Sequence, residues 1–265
     1  MRSWLLLLSL AVGLAAATAQ AQPQRSIHVQ AGDWGAASVQ DIEAVLNSVA
    51  DVLLPDFPQQ ARVRIVVSPV GSGPRVLAAK SADGAHQVLL SVRDARWDQF
   101  AYQFSHELCH IASNYDHREI DAARPHQWFE ETVCEAVSLV ALDRLATRWQ
   151  ESPPHRGWES YAPAFRRYAE RLTADRAAST SLASWHRENE AALERDPYLR
   201  EKNQLAAIAL VRVFQRSPQA MQAVGYLNLA SSSGRFEDYL AAWADCCPAS
   251  HRAAVARLIS LFQSA

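Results

Sequence analysis

Apolar and polar positions follow two periods along this chain, and the change from one to the other divides it. Residues 39–54 carry apolar side chains at 39, 42, 45, 46, 49, 52 and 53, the spacing of one buried helical face. Pro55 and Pro58 end that pattern. Short β-branched or alternating runs at 26–30, 63–67, 75–79 and 87–92 read as strands. Asp83-Gly84, between the last two runs, reads as a hairpin turn. From residue 97 onward the period is helical. Helices are expected near 97–113, 128–150, 161–173, 184–195, 198–215, 218–227, 236–244 and 251–263, with loops at Pro153-Pro154 and at 231–234. The expected fold class is α+β: a small N-terminal mixed α/β part with a mostly antiparallel-edged sheet, then a predominantly helical remainder.

The first 21 residues stand apart from this pattern. Arg2 precedes an almost unbroken apolar run from Trp4 to Ala17, and small residues close it. Residues 1–21 are therefore expected to be a cleavable secretory signal, which places the mature chain in the periplasm or outside the cell. No later stretch approaches the length of a membrane span, so no stable span is expected after signal removal.

Charge narrows the function classes. Among 265 residues, 26 Lys and Arg stand against 28 Asp and Glu, a formal net charge of −2. That balance lacks the basic excess of a phosphate-neutralising surface, so no nucleic-acid partner is expected. Four Cys are too few for a disulfide-held scaffold at this length.

The chemistry concentrates in His106-Glu107-Leu108-Cys109-His110. Residues four apart on a helix lie about 40° apart around the axis and one turn along it, so two imidazoles so placed can converge on one ion. Glu107 lies near the same face and can reach past the ion to act as a base on water. The plain alternative is a pair of solvated histidines, but the surrounding helix is apolar and aromatic through Phe100, Phe104, Leu108 and Ile111. A third ligand is expected from Trp128-Phe129-Glu130-Glu131-Thr132-Val133-Cys134-Glu135. Glu131 and Glu135 share one helical face, whereas Glu130 points about 100° away and is the lesser candidate.

Residues 100–142 resemble the gluzincin metallopeptidases, the thermolysin and aminopeptidase-like clan. Their metal helix carries His-Glu-x-x-His, and a second helix some twenty residues on supplies a Glu. The stretch Trp128 to Thr132 is similar to that second helix. The resemblance implies a zincin-like metal domain over residues 22–150 and a helical part over 151–265 that closes the cleft. It implies Zn²⁺ held by His106, His110 and Glu131, with Glu135 hydrogen-bonded to a metal-binding His. It implies hydrolysis of a peptide or protein substrate by metal-activated water, with Glu107 as general base. The rival reading is a zincin-fold protein that holds metal without catalysis and serves binding or assembly.

In zincins an edge strand above the cleft pairs with extended substrate, and residues 87–92 are expected to supply it. In the aminopeptidase-like branch a Tyr well after the third ligand stabilises the transition state. The stretch beginning Pro197-Tyr198 resembles that region and makes Tyr198 the expected donor, with Tyr226, His186 and the loop residues His117 and His126 as alternatives. Cys109 and Cys134 each neighbour a ligand, so a disulfide joining the two site helices is expected, against the alternative of two buried thiols.

Overall fold

The computed structural model describes residues 25–60, 62–117, 125–174, 181–229 and 234–263. The expected signal segment lies outside these residues. Four strands form one sheet: β1 (Ser26–Val29), β2 (Arg64–Pro69), β3 (Arg75–Val76) and β4 (His86–Leu90), in the order β1-β2-β4-β3. β1, β2 and β4 run parallel, and only β3 is antiparallel to its neighbour. The fold is therefore α+β with a single antiparallel edge. This corrects the expectation for residues 87–92. β4 is paired on both sides, and the two-residue β3 forms the edge. β4 alternates buried His86, Val88 and Leu90 with partly covered residues, as a strand inside a sheet should.

α1 (Val39–Leu53) links β1 to β2 in a βαβ unit. Ser38 caps it by accepting the Asp41 N–H at 3.0 Å. Its apolar stripe, Ile42, Val45, Leu46 and Val49, is fully buried. α2 (Trp97–Ala112) and α3 (Gln127–Glu151) pack side by side at the centre. α3 is 25 residues long, about 37 Å at helical rise. It is covered almost all round, by α1, α2, α4 (Ala162–Thr173) and α6 (Arg200–Arg216). A helix so enclosed shows little amphipathic periodicity in its sequence. α5 (Leu182–Arg195), α7 (Pro218–Ala223), α8 (Phe236–Cys246) and α9 (Ala249–Gln263) complete the helical part. One hydrophobic cluster runs from Ile27 to Phe262, across the expected division near residue 150. No helix among the described residues is long and apolar enough to cross a membrane.

One buried group gives the fold a pH response. The His86 Nδ1 lies 3.2 Å from the Tyr115 hydroxyl, which donates to the Leu77 carbonyl at 2.7 Å and ties the sheet edge to the end of α2. Burial, helped by the charge of Lys80, pushes the imidazole down from 6.5 to about 4. His86 is therefore neutral in the folded chain and protonated more readily in the unfolded one. Its contribution is fully present above about pH 6.5 and is lost as pH falls toward 4. The urea midpoint should be lower at pH 5 than at pH 7, and His86→Phe should shrink that difference. An unchanged difference in the variant would remove His86 as its source.

Candidate metal centre

α2 turns its aromatic stripe, Phe100, Phe104, Leu108 and Ile111, into the core. That orientation carries His106 and His110 toward α3, where Glu131 meets them. The His106 Nε2 lies 3.1 Å from Glu131 Oε2, and the His110 Nε2 lies 3.6 Å from Glu131 Oε1. One donor atom from each of the three residues falls within 4.8 Å of the others. The two imidazole rings stand 4.9 Å apart at 70°, so their edges converge rather than stack. Tetrahedral coordination with bonds of about 2.0–2.2 Å sets ligand atoms about 3.3 Å apart. The two observed separations bracket that spacing, and two imidazoles with one carboxylate form a donor set suited to a divalent transition metal. The residues expected to bind metal are thus together and fit one.

Each imidazole is backed by a carboxylate. His110 Nδ1 is hydrogen-bonded to Glu130 Oε1 at 3.0 Å, and His106 Nδ1 lies 4.0 Å from Glu135 Oε2. The bond at His110 fixes ring orientation and tautomer and raises ligand basicity, whereas Glu135 is too far from His106 for the hydrogen bond expected of it and is an ion-pair neighbour only. Glu135 sits on the face that the helical spacing predicts and accepts hydrogen bonds from the Tyr102 hydroxyl and from Gln204 Nε2 at 2.7 Å. Glu130 plays a larger part than its helical position suggests. Its Oε1 also accepts from Ser113 Oγ at 2.9 Å and from Asn228 Nδ2 at 2.9 Å. Asn228 belongs to a 3-10 turn, Val224–Leu229, which is docked on the end of α2. There Asn114 takes a left-handed φ of 60° and donates to the Gly225 carbonyl at 2.6 Å.

Electrostatics follow from burial beside opposite charge. Burial opposes a carboxylate charge at Glu131, but the two imidazoles outweigh it and hold the group far below the usual carboxylate range. Burial likewise opposes charge on His106 and His110, yet Glu131, with Glu130 beside His110, holds both above 6.5. Glu107 is 2% exposed, and burial raises its pKa above the ordinary value. The Val76 backbone N–H, on β3, bonds its carboxylate and acts in the opposite direction.

Part of this cluster opens on a cleft of about 510 Å³. His106, Glu107 and Glu131 line it, with Gly73 and Pro74 on the approach to β3 and Tyr102, Tyr168 and Tyr198 elsewhere on its wall. Tyr198 is 66% exposed, and its hydroxyl accepts from Gln127 Nε2 at 2.9 Å. The alternatives to Tyr198 do not line this cleft. His126 is buried against Tyr239 and bonds the Gly234 carbonyl, His186 stacks on Trp128, Tyr226 packs on His251, and His117 is exposed.

Cys109 and Cys134 are brought into contact, as two buried thiols rather than a disulfide. Cys134 Sγ also lies 3.6 Å from His110 Nδ1. Both pack as small apolar side chains between the site helices.

Ser113, Asn228, Gln204 and Tyr102 are not visible as site residues in the sequence. Ser113 alone carries a hint, one position short of a full turn after His110. Comparison with family models, curated proteins and solved structures finds no match for this chain.

Proposed function

We propose that this protein is a zinc-dependent peptidase of gluzincin type, acting outside the cytoplasm. The observation that carries the reading is one cluster, in which His106, His110 and Glu131 present converging donor atoms beside a cleft that His106, Glu131 and Glu107 line. A bound zinc ion supplies Lewis acidity, polarising a scissile carbonyl and lowering the pKa of water. His106, His110 and Glu131 would hold that ion, and Glu130 keeps the His110 imidazole in register. Glu107 takes the proton of the attacking water and delivers it to the departing amine. Its raised pKa suits both halves of that task, since a strongly acidic carboxylate would accept a proton poorly. Tyr198, on the cleft wall, is the proposed donor to the developing oxyanion. β3, at the sheet edge, holds the base in place, since its Val76 N–H bonds the Glu107 carboxylate.

The test is elemental analysis of the purified mature protein, with hydrolysis of a mixed peptide library measured before and after chelation. Bound zinc, with hydrolysis lost on chelation and restored by zinc, is the expected result. A protein that retains no transition metal, or whose hydrolysis ignores chelation, would overturn the proposal.

A further inference from the structure

The cleft holds three carboxylates, Glu107, Glu131 and Glu135, and one guanidinium, Arg200. Among the described residues Arg200 has no carboxylate within ion-pair distance, although it faces an acidic wall. Tyr102 stands between. Its hydroxyl donates to Glu135 and accepts from Arg200 Nη2 at 3.2 Å, and its ring lies 5.6 Å from the guanidinium carbon. One guanidinium N–H is thus used inside the protein, and the rest of the planar fork is left at the cleft. Arg200 opens α6, where a cation opposes the helix dipole. Its place therefore owes nothing to helix stability.

We infer that Arg200 is a specificity residue that binds a substrate carboxylate, either the C-terminal carboxylate of a peptide or an acidic side chain. The inference rests on the proposed peptide-binding role of this cleft. A guanidinium fork matches a planar carboxylate with two parallel hydrogen bonds, which a neutral amide cannot supply. Position along the substrate follows from the chain of contacts. From His106 Nδ1 the path runs 4.0 Å to Glu135, through the Tyr102 hydroxyl, and a further 3.2 Å to Arg200. Arg200 is thus linked to the metal donors only through Tyr102 and Glu135. It suits a group a residue or two away on an extended chain rising about 3.3 Å per residue. The preference rests on Arg200 itself, because a neutral group leaves the guanidinium without a charged partner and a basic group is repelled by it.

The test uses the full mature protein loaded with zinc and three fluorophore-labelled peptide mixtures of otherwise randomised sequence. One has free C-termini and no internal acid. One is amidated with no acid. One is amidated with a single Glu at each internal position in turn. Binding is read by anisotropy on the Glu107→Gln protein, and kcat/KM on the wild type. A carboxylate-bearing mixture should bind about 10- to 100-fold tighter than the neutral one, the scale of a charge-assisted hydrogen-bonded pair. Arg200→Gln should collapse that ratio, and Arg200→Lys should restore part of it. Which mixture is favoured tells terminal from side-chain recognition. Equal binding of all three, or a ratio unmoved in Arg200→Gln, overturns the inference while leaving hydrolysis untouched. A carboxylate preference that depends on Arg200, in a wild type that cleaves nothing, upholds the inference and sinks the peptidase reading instead.

Discussion

Glu107→Gln is expected to keep its metal and lose about 10²–10⁴-fold in peptide hydrolysis, the contribution of a positioned general base. The substitution changes little else. Glutamine has nearly the same shape, and its amide oxygen can still accept the Val76 N–H that holds the native carboxylate. The three donor atoms that fit a metal come from His106, His110 and Glu131, so metal content should match the wild type. Removing a carboxylate that is 2% exposed also removes a buried charge, so the variant should fold at least as stably. The two readouts are kcat/KM on the peptide library and metal per chain. If Glu107 acts in the proton transfer, kcat falls while KM stays near its original value. Wild-type turnover in this variant would remove Glu107 from the chemistry, and joint loss of metal and activity would make it a structural residue.

What can be read from the sequence is local. A spacing of four residues on a helix fixes relative direction wherever the helix lies, so the convergence of His106 with His110 and the shared face of Glu131 and Glu135 are legible without a fold. The helices are legible too, because the apolar period and the prolines mark them within a few residues. What cannot be read depends on distant chain segments. Glu130 lies about 100° around the helix from Glu131, and the wheel alone makes it a bystander. It becomes a partner of His110 because the helix pair is rotated to present both carboxylates. Ser113 and Asn228 then close around it, Asn228 from 98 residues away. The edge strand escapes the sequence pattern for a related reason. Residues 87–92 carry the stronger strand pattern, yet a well-formed apolar strand is the kind a sheet encloses, and the edge falls to the two-residue β3 beside the cleft. The nearness of Cys109 and Cys134 follows from the ligands they adjoin, but whether two adjacent sulfurs are bonded is not written in spacing.

The three acidic residues that α3 brings to the site, Glu130, Glu131 and Glu135, should separate cleanly when each is changed in turn. Glu131→Ala should strip the metal: it removes the one charged donor and leaves two imidazoles, a set that holds a divalent ion poorly. Glu130→Ala and Glu135→Ala should each weaken metal binding about 10- to 100-fold and no further, since each removes a partner of an imidazole and not a ligand. Of these two, Glu130→Ala should have the larger effect. Glu130 lies 3.0 Å from its imidazole, against 4.0 Å for Glu135. It also collects Ser113 and Asn228; its loss leaves an Asn228 amide N–H without that acceptor in a buried site, while the Ser113 hydroxyl keeps the His110 carbonyl. Competition titration with a chromophoric chelator gives all three affinities on one scale. Loss of metal in Glu130→Ala with retention in Glu131→Ala would exchange the two roles and require α3 to be turned by one residue. The separations of 3.1 and 3.6 Å from Glu131 to the two imidazoles argue for Glu131 as the ligand. So does the geometry of Glu130, whose carboxylate is on the Nδ1 side of His110, whereas the Nε2 side faces Glu131.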